Sequence, residues 1–373
     1  MEPRSFLQHL NPENFEKLAL ETFERQYKNV PIYRSYVELL GTPRPQTLQE
    51  IPFLPISFFK THRVLPEGLT EQKTFLSSGT TLQQRSQHIV HDLAWYKTSL
   101  MLGFEREFGP ADQFVFIALL PSYLENGDSS LIYMVDQLIA ASQNELSGYY
   151  LSELQEVQEV YNAARQQGKR AFIFGVAYAL LDLAELGLNL SEALILETGG
   201  MKGRRKELSK IELHEALKVG FHVPKIYSEY GMTELLSQAY FNPETAIFKT
   251  QAWCKVLIRD AYDPFTYVPD RQKGGINFID LANQWSCSFI QTDDLGRIQN
   301  DGFTVEGRLE ATDIRGCNLF DMKCRNFQEP HTRSPWFSIL EKKAPDTCAG
   351  AYAMLVAQRL IGQCYSLFQL LSF

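Results

Sequence analysis

The chain has 373 residues, of which 45% are hydrophobic and 21% are charged, and its formal net charge at pH 7 is −8. This composition predicts a globular protein of one large domain or two ordinary ones and argues against extensive disorder. The negative charge argues against nucleic acid as the main partner, because binding to its phosphate backbone relies on clustered lysine and arginine. A small anionic ligand at a local basic patch is still compatible with it.

The sequence shows no targeting or membrane-spanning signal. Its first residues lack the basic start and unbroken apolar core of a signal peptide. No stretch approaches the roughly 20 apolar residues that a membrane-spanning helix needs. The six cysteines have neither paired spacing nor the pattern of a small secreted framework. We therefore expect reduced thiols, a cytoplasmic protein and no transmembrane segment.

The first third of the chain opens with helical patterns. Asn11 followed by Pro12 is typical of a helix start, and helical spacing continues through residue 27. A stretch with repeated prolines at 51–64 leads to FLSSGTT at 75–81. Beyond it, residues 88–109 have the spacing of one long amphipathic helix.

Short apolar runs then alternate with helical patterns. The runs at 113–120, 171–176 and 193–198 are continuously apolar, which is typical of buried parallel strands. A helical stretch at 208–220 ends in Gly220, the expected C-terminal cap. This alternation predicts an α/β fold with mainly parallel sheets flanked by helices.

After residue 245 the pattern changes to short strands separated by turns. We expect an α/β nucleotide- and acyl-binding region at 1–245, a smaller β-rich subdomain completing the site at 246–320, and an atypical tail at 321–373. Arg359 and several glutamines argue against a membrane-spanning helix in the apolar end of the tail. Two interpretations of this tail stay open: an appended docking or membrane-surface helix, and a change of reading frame.

Two loops rich in small residues have open interpretations. SSGTT at 77–81 is a surface turn, for which serine, threonine and glycine are common, or a loop that wraps a phosphate group. GGMKGRRKE at 199–207 suits an anion at a helix N-terminus, or a strand-to-helix turn with a solvated basic face.

Two later stretches carry further candidate ligands. KIYSEYGMTELLSQAY at 225–240 predicts a short strand, a turn at 228–231 and a helix from about Met232. Its Thr-Glu pair suits a phosphate and a divalent cation, and equally a plain helix start. TDDLGRI at 292–298 places carboxylates at a strand end, suited to ribose hydroxyls or to a β-turn. The order of the loops favours one crevice, because ligands of open α/β sheets gather at the carboxyl ends of strands.

Taken in order, these motifs resemble the adenylate-forming superfamily of acyl-CoA ligases and luciferases, and within it the acyl-protein synthetase (LuxE-like) branch. SSGTT resembles the phosphate loop of that family. ETGGMKGRRKE, YSEYGMTE, TDDLG and EGRLEATDIRGCNL follow in the family's order. The resemblance spans roughly residues 10–320.

The resemblance implies a ligase that uses ATP and Mg²⁺ to convert a carboxylic acid, in this branch a fatty acid, into an acyl adenylate. It implies transfer of the acyl group to a cysteine thiol, with a reductase or carrier protein as a possible acceptor. The implied catalytic residues are Cys317, Thr233, Glu234 and Arg308, with Glu234 as the metal ligand. The implied nucleotide- and acyl-binding residues are Ser77, Ser78, Gly79, Thr80, Thr81, Gly199, Gly200, Tyr230, Gly231 and Asp294.

The sequence departs from the family at two points. Leu82 and Arg85 follow SSGTT where the family has a further glycine and a lysine. No lid domain with a catalytic lysine is recognisable, so we expect this C-terminal domain to be reduced or absent. Two alternatives stay open: an acyl-CoA ligase of the phenylacetate-CoA ligase type, and a catalytically degenerate nucleotide-binding protein.

One further motif, HIVH at 88–91, has the spacing of a metal-binding histidine pair. With no third ligand evident, a plain helix face is the favoured interpretation.

Overall fold

The computed structural model describes residues 2–42, 44–78, 85–121, 127–151, 154–199 and 208–309. The helices of these residues are α1 Pro3–His9, α2 Phe15–Asn29, α3 Pro31–Leu40, α4 Phe58–Thr61, α5 Leu93–Phe108, α6 Ser130–Ser142, α7 Glu156–Gln166, α8 Ala177–Ala184 and α9 Lys210–Phe221. The strands are β1 Leu54–Pro55, β2 Lys73–Leu76, β3 Gln87–Val90, β4 Phe114–Leu119, β5 Gly148–Tyr149, β6 Arg170–Val176, β7 Leu194–Thr198, β8 Tyr227–Tyr230, β9 Ala239–Asn242, β10 Ile247–Lys249, β11 Cys254–Arg259, β12 Gly274–Asp280, β13 Phe289–Gln299 and β14 Gly302–Arg308. Of the helices described, not one is long and apolar enough to cross a membrane.

One half of the central sheet is parallel and contains the strands that the apolar runs predict. In it, β5, β4, β6, β7 and β8 lie side by side in that order. Every residue of β4 and of β7 is buried, as expected of strands covered on both faces. The predicted α/β fold class, with parallel strands flanked by helices, is confirmed.

The other half of the sheet is antiparallel and continues from β8 without a break. It runs through β9, β10, β14, β13, β12 and β11, and the short β1 pairs in parallel with β13. The boundary expected at residue 245 lies in the hairpin between β9 and β10. The division into regions 1–245 and 246–320 stays a prediction.

Aromatic packing fixes α5 on the parallel half of the sheet. The ring of Phe104 on α5 lies 5.8 Å from Phe114, 5.6 Å from Phe116 and 5.2 Å from Phe172, measured between centroids. Such aromatic contacts add directional attraction to the burial of large apolar surfaces. The strand ends beside α5 are therefore held by a rigid core.

The start of α2 and the end of α9 differ from the predicted positions. The side chain of Asn11 accepts hydrogen bonds from the N–H groups of Glu13 and Asn14, so the predicted start is a capped turn that leads into α2 at Phe15. The predicted cap at Gly220 is wrong, because α9 ends at Phe221 and its C-cap is the left-handed residue His222, with φ of 59°. A Cβ at Gly220 would lie 2.5 Å from that of Ala184, so this glycine allows α9 to approach α8.

The helix predicted at 88–109 begins later in the structure than expected. Residues 87–90 form β3, which pairs with β2, and α5 begins at Leu93 after Asp92. The Asp92 carboxylate accepts a hydrogen bond from the N–H of Ala94, which is a typical N-cap contact. The β-branched pair of Ile89 and Val90 favours the strand.

Candidate active site

The candidate site lies where the parallel strands β7 and β8 end. Thr198 is the last residue of β7, Tyr230 is the last residue of β8, and the two strands pair in parallel. Ligands of open α/β sheets bind at such carboxyl ends. Gly199, directly after β7, has φ of 65°, which glycine adopts without strain.

A second cluster joins the end of β8 to the antiparallel half of the sheet. The phenol of Tyr230 donates a hydrogen bond of 2.6 Å to the carboxylate of Asp294 on β13. Nε of Arg308 on β14 lies 3.5 Å from the other oxygen of the same carboxylate. Burial and the negative charge of Asp294 raise the pKa of Tyr230 well above its usual value, so the phenol stays protonated. The structure thus brings these three predicted residues together.

The segment after Tyr230 is a turn, and the helix predicted from about Met232 is wrong. Thr233 and Glu234 form the turn, and the chain continues into β9 at Ala239. Asp280 at the end of β12 holds the segment by accepting hydrogen bonds from the N–H groups of Leu236 and Ser237 at 2.8 and 3.0 Å, and from the Ser237 hydroxyl at 2.6 Å. These contacts across 43 residues replace the local bonds of a helix.

The hydroxyl-rich loop is closed by a pair of serines. The N–H of Ser77 donates to the carbonyl of Ser86 at 3.0 Å, and the N–H of Ser86 donates to the hydroxyl of Ser77 at 2.9 Å. Ser77 therefore uses one of its acceptor sites to close the loop, while its hydroxyl proton remains able to bond a ligand. Ser78 is exposed beside it.

The strand β3 carries this closed loop to the Thr233–Glu234 turn. Ser86 and His88 are two residues apart, so they lie on one face of an extended segment. The Ser86 hydroxyl lies close enough to the Glu234 carboxyl to act on it and lower its pKa. Nδ1 of His88 lies 2.7 Å from the Thr233 carbonyl oxygen, and Nε2 lies 3.2 Å from Oδ1 of Asn283. The phosphate-loop candidate and the Thr-Glu candidate thus meet in one place.

The histidine pair HIVH is not a metal site among the residues that the structure describes. His88 is fully buried and engaged with backbone and amide oxygens, and burial lowers its pKa to about 4. His91 follows the last residue of β3, and its ring bonds the carbonyl of Thr70. The two rings therefore have separate partners and do not face one ligand. Neither the metal pair nor the helix face holds, because residues 87–90 form a strand.

Glu234 is the residue that the resemblance assigns to a metal ion. It is 4% exposed, and burial raises its pKa, while the Ser86 hydroxyl and the positive charges of Arg308 and Lys60 act in the opposite direction. The described residues contain no group of three or more metal-binding side chains. A single carboxylate fits Mg²⁺, which keeps much of its water and takes its other ligands from substrate phosphates.

A half-buried ion pair joins the end of β7 to the start of α9. Lys210, the first residue of α9, donates hydrogen bonds of 2.7 Å to Glu197 on β7 and 2.9 Å to the Ser228 hydroxyl on β8. His214 faces both groups with the same ring nitrogen, Nε2. This is not a hydrolase triad, because a triad needs both ring nitrogens and an accessible serine, whereas Ser228 is fully buried. The network therefore fixes the chain on both sides of residues 199–207.

Several predicted residues lie outside the described part of the chain: Gly79, Thr80, Thr81, Gly200 and Cys317. Their placement and roles stay predictions. The sequence did not indicate the roles of Ser86, His88, Asn283 and Glu229, although His88 was considered as a metal ligand or a helix-face residue. The alternation of Ser86 and His88 beside a β-branched pair was the available signal for the first two. Asn283 had none, since its contact with His88 spans 195 residues.

Chemically, the arrangement combines a hydrogen-bonded carboxylate beside an aromatic ring, an arginine and a separate buried carboxylate. Gly231 lies between them, and a Cβ there would be 2.3 Å from Oε1 of Glu229, so the chain bends closely at this point. Such a set of side chains suits a ligand with hydroxyls, a flat ring and negative charge.

Comparisons with known proteins bear on the fold. No family model matches the chain, and no curated protein sequence matches it. Solved structures do match, among them 2-hydroxyisobutyryl-CoA ligase in complex with 2-HIB-AMP and CoA in the thioesterification state. That match has a TM-score of 0.59 and 14% identity, and covers 80% of this chain and 69% of the ligase. The open conformation of the ligase gives a TM-score of 0.58 at 14% identity, with 79% and 70% covered.

Other solved structures match a smaller part of this chain and about half of their own length. O-succinylbenzoate coenzyme A synthetase from Bacillus subtilis, in complex with ATP and magnesium ion, matches at 20% identity and a TM-score of 0.45, covering 63% of this chain and 49% of that one. The chain likewise spans about half, 47%, of ATP-bound MatB from Rhodopseudomonas palustris. The protein described here has the α/β fold of the large N-terminal domain of adenylate-forming ligases.

Proposed function

We propose that the protein activates a carboxylic acid with ATP, forming an acyl adenylate and pyrophosphate, and then passes the acyl group to a thiol. The observation that carries this proposal is the convergence of three separated motifs. Ser77 reaches Glu234 through Ser86, and Tyr230 reaches Asp294 directly. In the adenylate-forming family that the sequence resembles, the corresponding motifs bind a single nucleotide together.

The proposed roles follow from the chemistry of each side chain. The Tyr230 ring lines the adenine site, and Asp294 accepts hydrogen bonds from ribose hydroxyls. Thr233 bonds a phosphate. The remaining backbone and hydroxyl groups proposed to surround the phosphates and the acyl group are those of Ser77, Ser78, Gly79, Thr80, Thr81, Gly199, Gly200 and Gly231.

The first step joins two anions, which sets the demands on the site. A carboxylate oxygen of the acid attacks the α-phosphorus of ATP, the bond to the bridging oxygen breaks, and pyrophosphate leaves. Arg308 supplies positive charge near the reacting groups, and Glu234 is the residue proposed to hold Mg²⁺. When bound, this ion neutralises phosphate charge. Holding both reactants in line supplies a further share of the rate enhancement.

The second step needs a thiol, and the resemblance assigns it to Cys317, with a fatty acid as the acyl donor. The thiolate attacks the acyl carbon, a thioester forms, and AMP leaves. A free cysteine is only a few per cent ionised at neutral pH, so a nearby cation favours attack. Arg315, two residues before Cys317, is available for this role. Coenzyme A is the alternative acceptor.

Pyrophosphate exchange tests the first step. The purified protein is incubated with ATP, Mg²⁺, radiolabelled pyrophosphate and a panel of fatty, aromatic and amino acids. We expect label in ATP with at least one acid, and its loss in Asp294→Ala. The matched control is Asp301→Ala, an exposed aspartate that pairs with Lys249 away from the crevice. Silence across the whole panel would contradict the proposal.

Acyl transfer is tested separately with a radiolabelled acid. Without coenzyme A, we expect a protein label that hydroxylamine removes and that Cys317→Ser abolishes. A label that requires coenzyme A and survives Cys317→Ser would assign the acyl group to coenzyme A instead.

A further inference from the structure

Glu229 is a carboxyl group at the candidate site that the proposed mechanism does not use. It precedes Tyr230 at the end of β8, and its Oε2 accepts a hydrogen bond of 2.6 Å from the Thr198 hydroxyl at the end of β7. Its Oε1 accepts no hydrogen bond from the residues that the structure describes, and Glu229 is only half-buried. One oxygen of this carboxyl is therefore open to a ligand.

No cation of the described residues pairs directly with Glu229, and the charge of Lys210 acts on it only from a distance. The neighbouring Glu197, by contrast, binds Lys210 directly. Burial, with the nearby charge of Glu197, raises the pKa of Glu229 to about 7. A carboxylate can accept about four hydrogen bonds. Glu229 accepts one from the described residues, from the Thr198 hydroxyl.

The surroundings place this open oxygen at the strand ends. A Cβ on Gly231 would lie 2.3 Å from Oε1, so the oxygen sits against the bend that follows β8. Tyr227 lies on the same face of β8 and packs on Phe108 of α5, with ring centroids 5.3 Å apart. Tyr230 points to the other face, toward Asp294. Glu229 thus lies across the strand from the proposed nucleotide contact.

A purely structural role accounts poorly for an acid here. Glutamine would accept the same hydrogen bond from Thr198 without placing a titratable group in a partly buried site. Perturbed acids that gain no stabilising partner within the protein are typical of ligand sites. The group that completes this site is a hydrogen-bond donor.

We propose that Glu229 is a specificity-determining residue that binds a hydrogen-bond donor, an ammonium or a hydroxyl group, carried by the acid substrate. The inference rests on the proposed function and narrows the acid from a plain fatty acid to one with a polar substituent. A site built to bond such a group rejects the analogue that lacks it, because the buried carboxyl is then left unpaired.

Pyrophosphate exchange with matched acids tests the inference. The panel contains acids of equal carbon number that carry no further group, a hydroxyl or an ammonium at each chain position. We expect the best donor-bearing acid to exceed the unsubstituted acid by at least about tenfold in kcat/KM, the scale of one hydrogen bond to a charged group. Comparing the hydroxyl-bearing acids with the ammonium-bearing acids shows which of the two groups Glu229 binds.

Substitutions of Glu229 test whether this residue causes the preference for donor-bearing acids. Glu229→Gln keeps the Thr198 hydrogen bond and should lower the preference for an ammonium group about tenfold or more. Glu229→Leu should reverse the preference in favour of unsubstituted acids. Glu192→Gln, at a carboxylate paired with Arg165 far from the crevice, should change nothing.

The outcomes separate this inference from the proposed function. Exchange with unsubstituted acids as good as with donor-bearing ones overturns the inference alone, as does a preference unchanged in Glu229→Gln. Absence of exchange with every acid overturns both. The wild-type panel decides the matter even if Glu229→Leu fails to fold.

Discussion

His88 offers a direct test of how the Thr233–Glu234 turn is held. Its ring is fully buried, and Nδ1 lies 2.7 Å from the Thr233 carbonyl oxygen, nearer than Nε2 lies to Oδ1 of Asn283. Burial lowers the pKa from 6.5 to about 4, so the folded protein keeps the ring neutral where the unfolded chain binds a proton. Stability is therefore lost as the pH falls from 6.5 toward 4, by about 3 kcal/mol from this residue.

The perturbation is His88→Asn, whose amide can still donate to the Thr233 carbonyl but does not titrate. At neutral pH we expect the variant to be less stable, because the smaller side chain leaves a cavity. As the pH falls to about 4, the difference in unfolding free energy between the two proteins should shrink by about 3 kcal/mol. Urea unfolding at a series of pH values measures it, with the exposed His9→Asn as the control. A difference that stays constant with pH would refute the reasoning.

Three further predictions concern the same site. Tyr230→Phe removes the 2.6 Å hydrogen bond to Asp294 and should reduce kcat/KM for ATP about tenfold or more, measured by pyrophosphate exchange; an unchanged value would exclude this contact from the nucleotide site. Asp280→Asn turns an amide N–H toward the Ser237 donors and should cost about 2–4 kcal/mol in urea unfolding, and a cost near zero would contradict it. Glu234→Gln should raise the Mg²⁺ concentration for half-maximal exchange at least about tenfold, whereas an unchanged requirement would place the ion elsewhere.

The fold was largely predictable because its core strands carry a strong signal. The run that forms β4 is continuously apolar and buried at every residue, so its assignment needed no partner. β3 was missed because it is four residues long and depends on pairing with β2, ten residues earlier in the chain. Short strands of this kind are specified by pairing and packing more than by their own periodicity.

The site was less predictable, since its geometry depends on residues far apart in the chain. Glu234 was identified from its motif, but the turn that positions it is held by His88, Asn283 and Asp280, which are up to 195 residues apart. Local propensity favoured a helix there and long-range contacts overrode it. No spacing rule links these side chains before the chain folds.

The location of ATP is the most direct test of a crevice at the ends of β7 and β8. Photolabelling with 2-azido-ATP, followed by peptide mapping, should place the label on peptides that contain Tyr230 or Asp294, and excess ATP should prevent it. Label that maps instead to the surface cleft lined by Arg165 and Lys169, or no label that ATP can displace, would contradict the account.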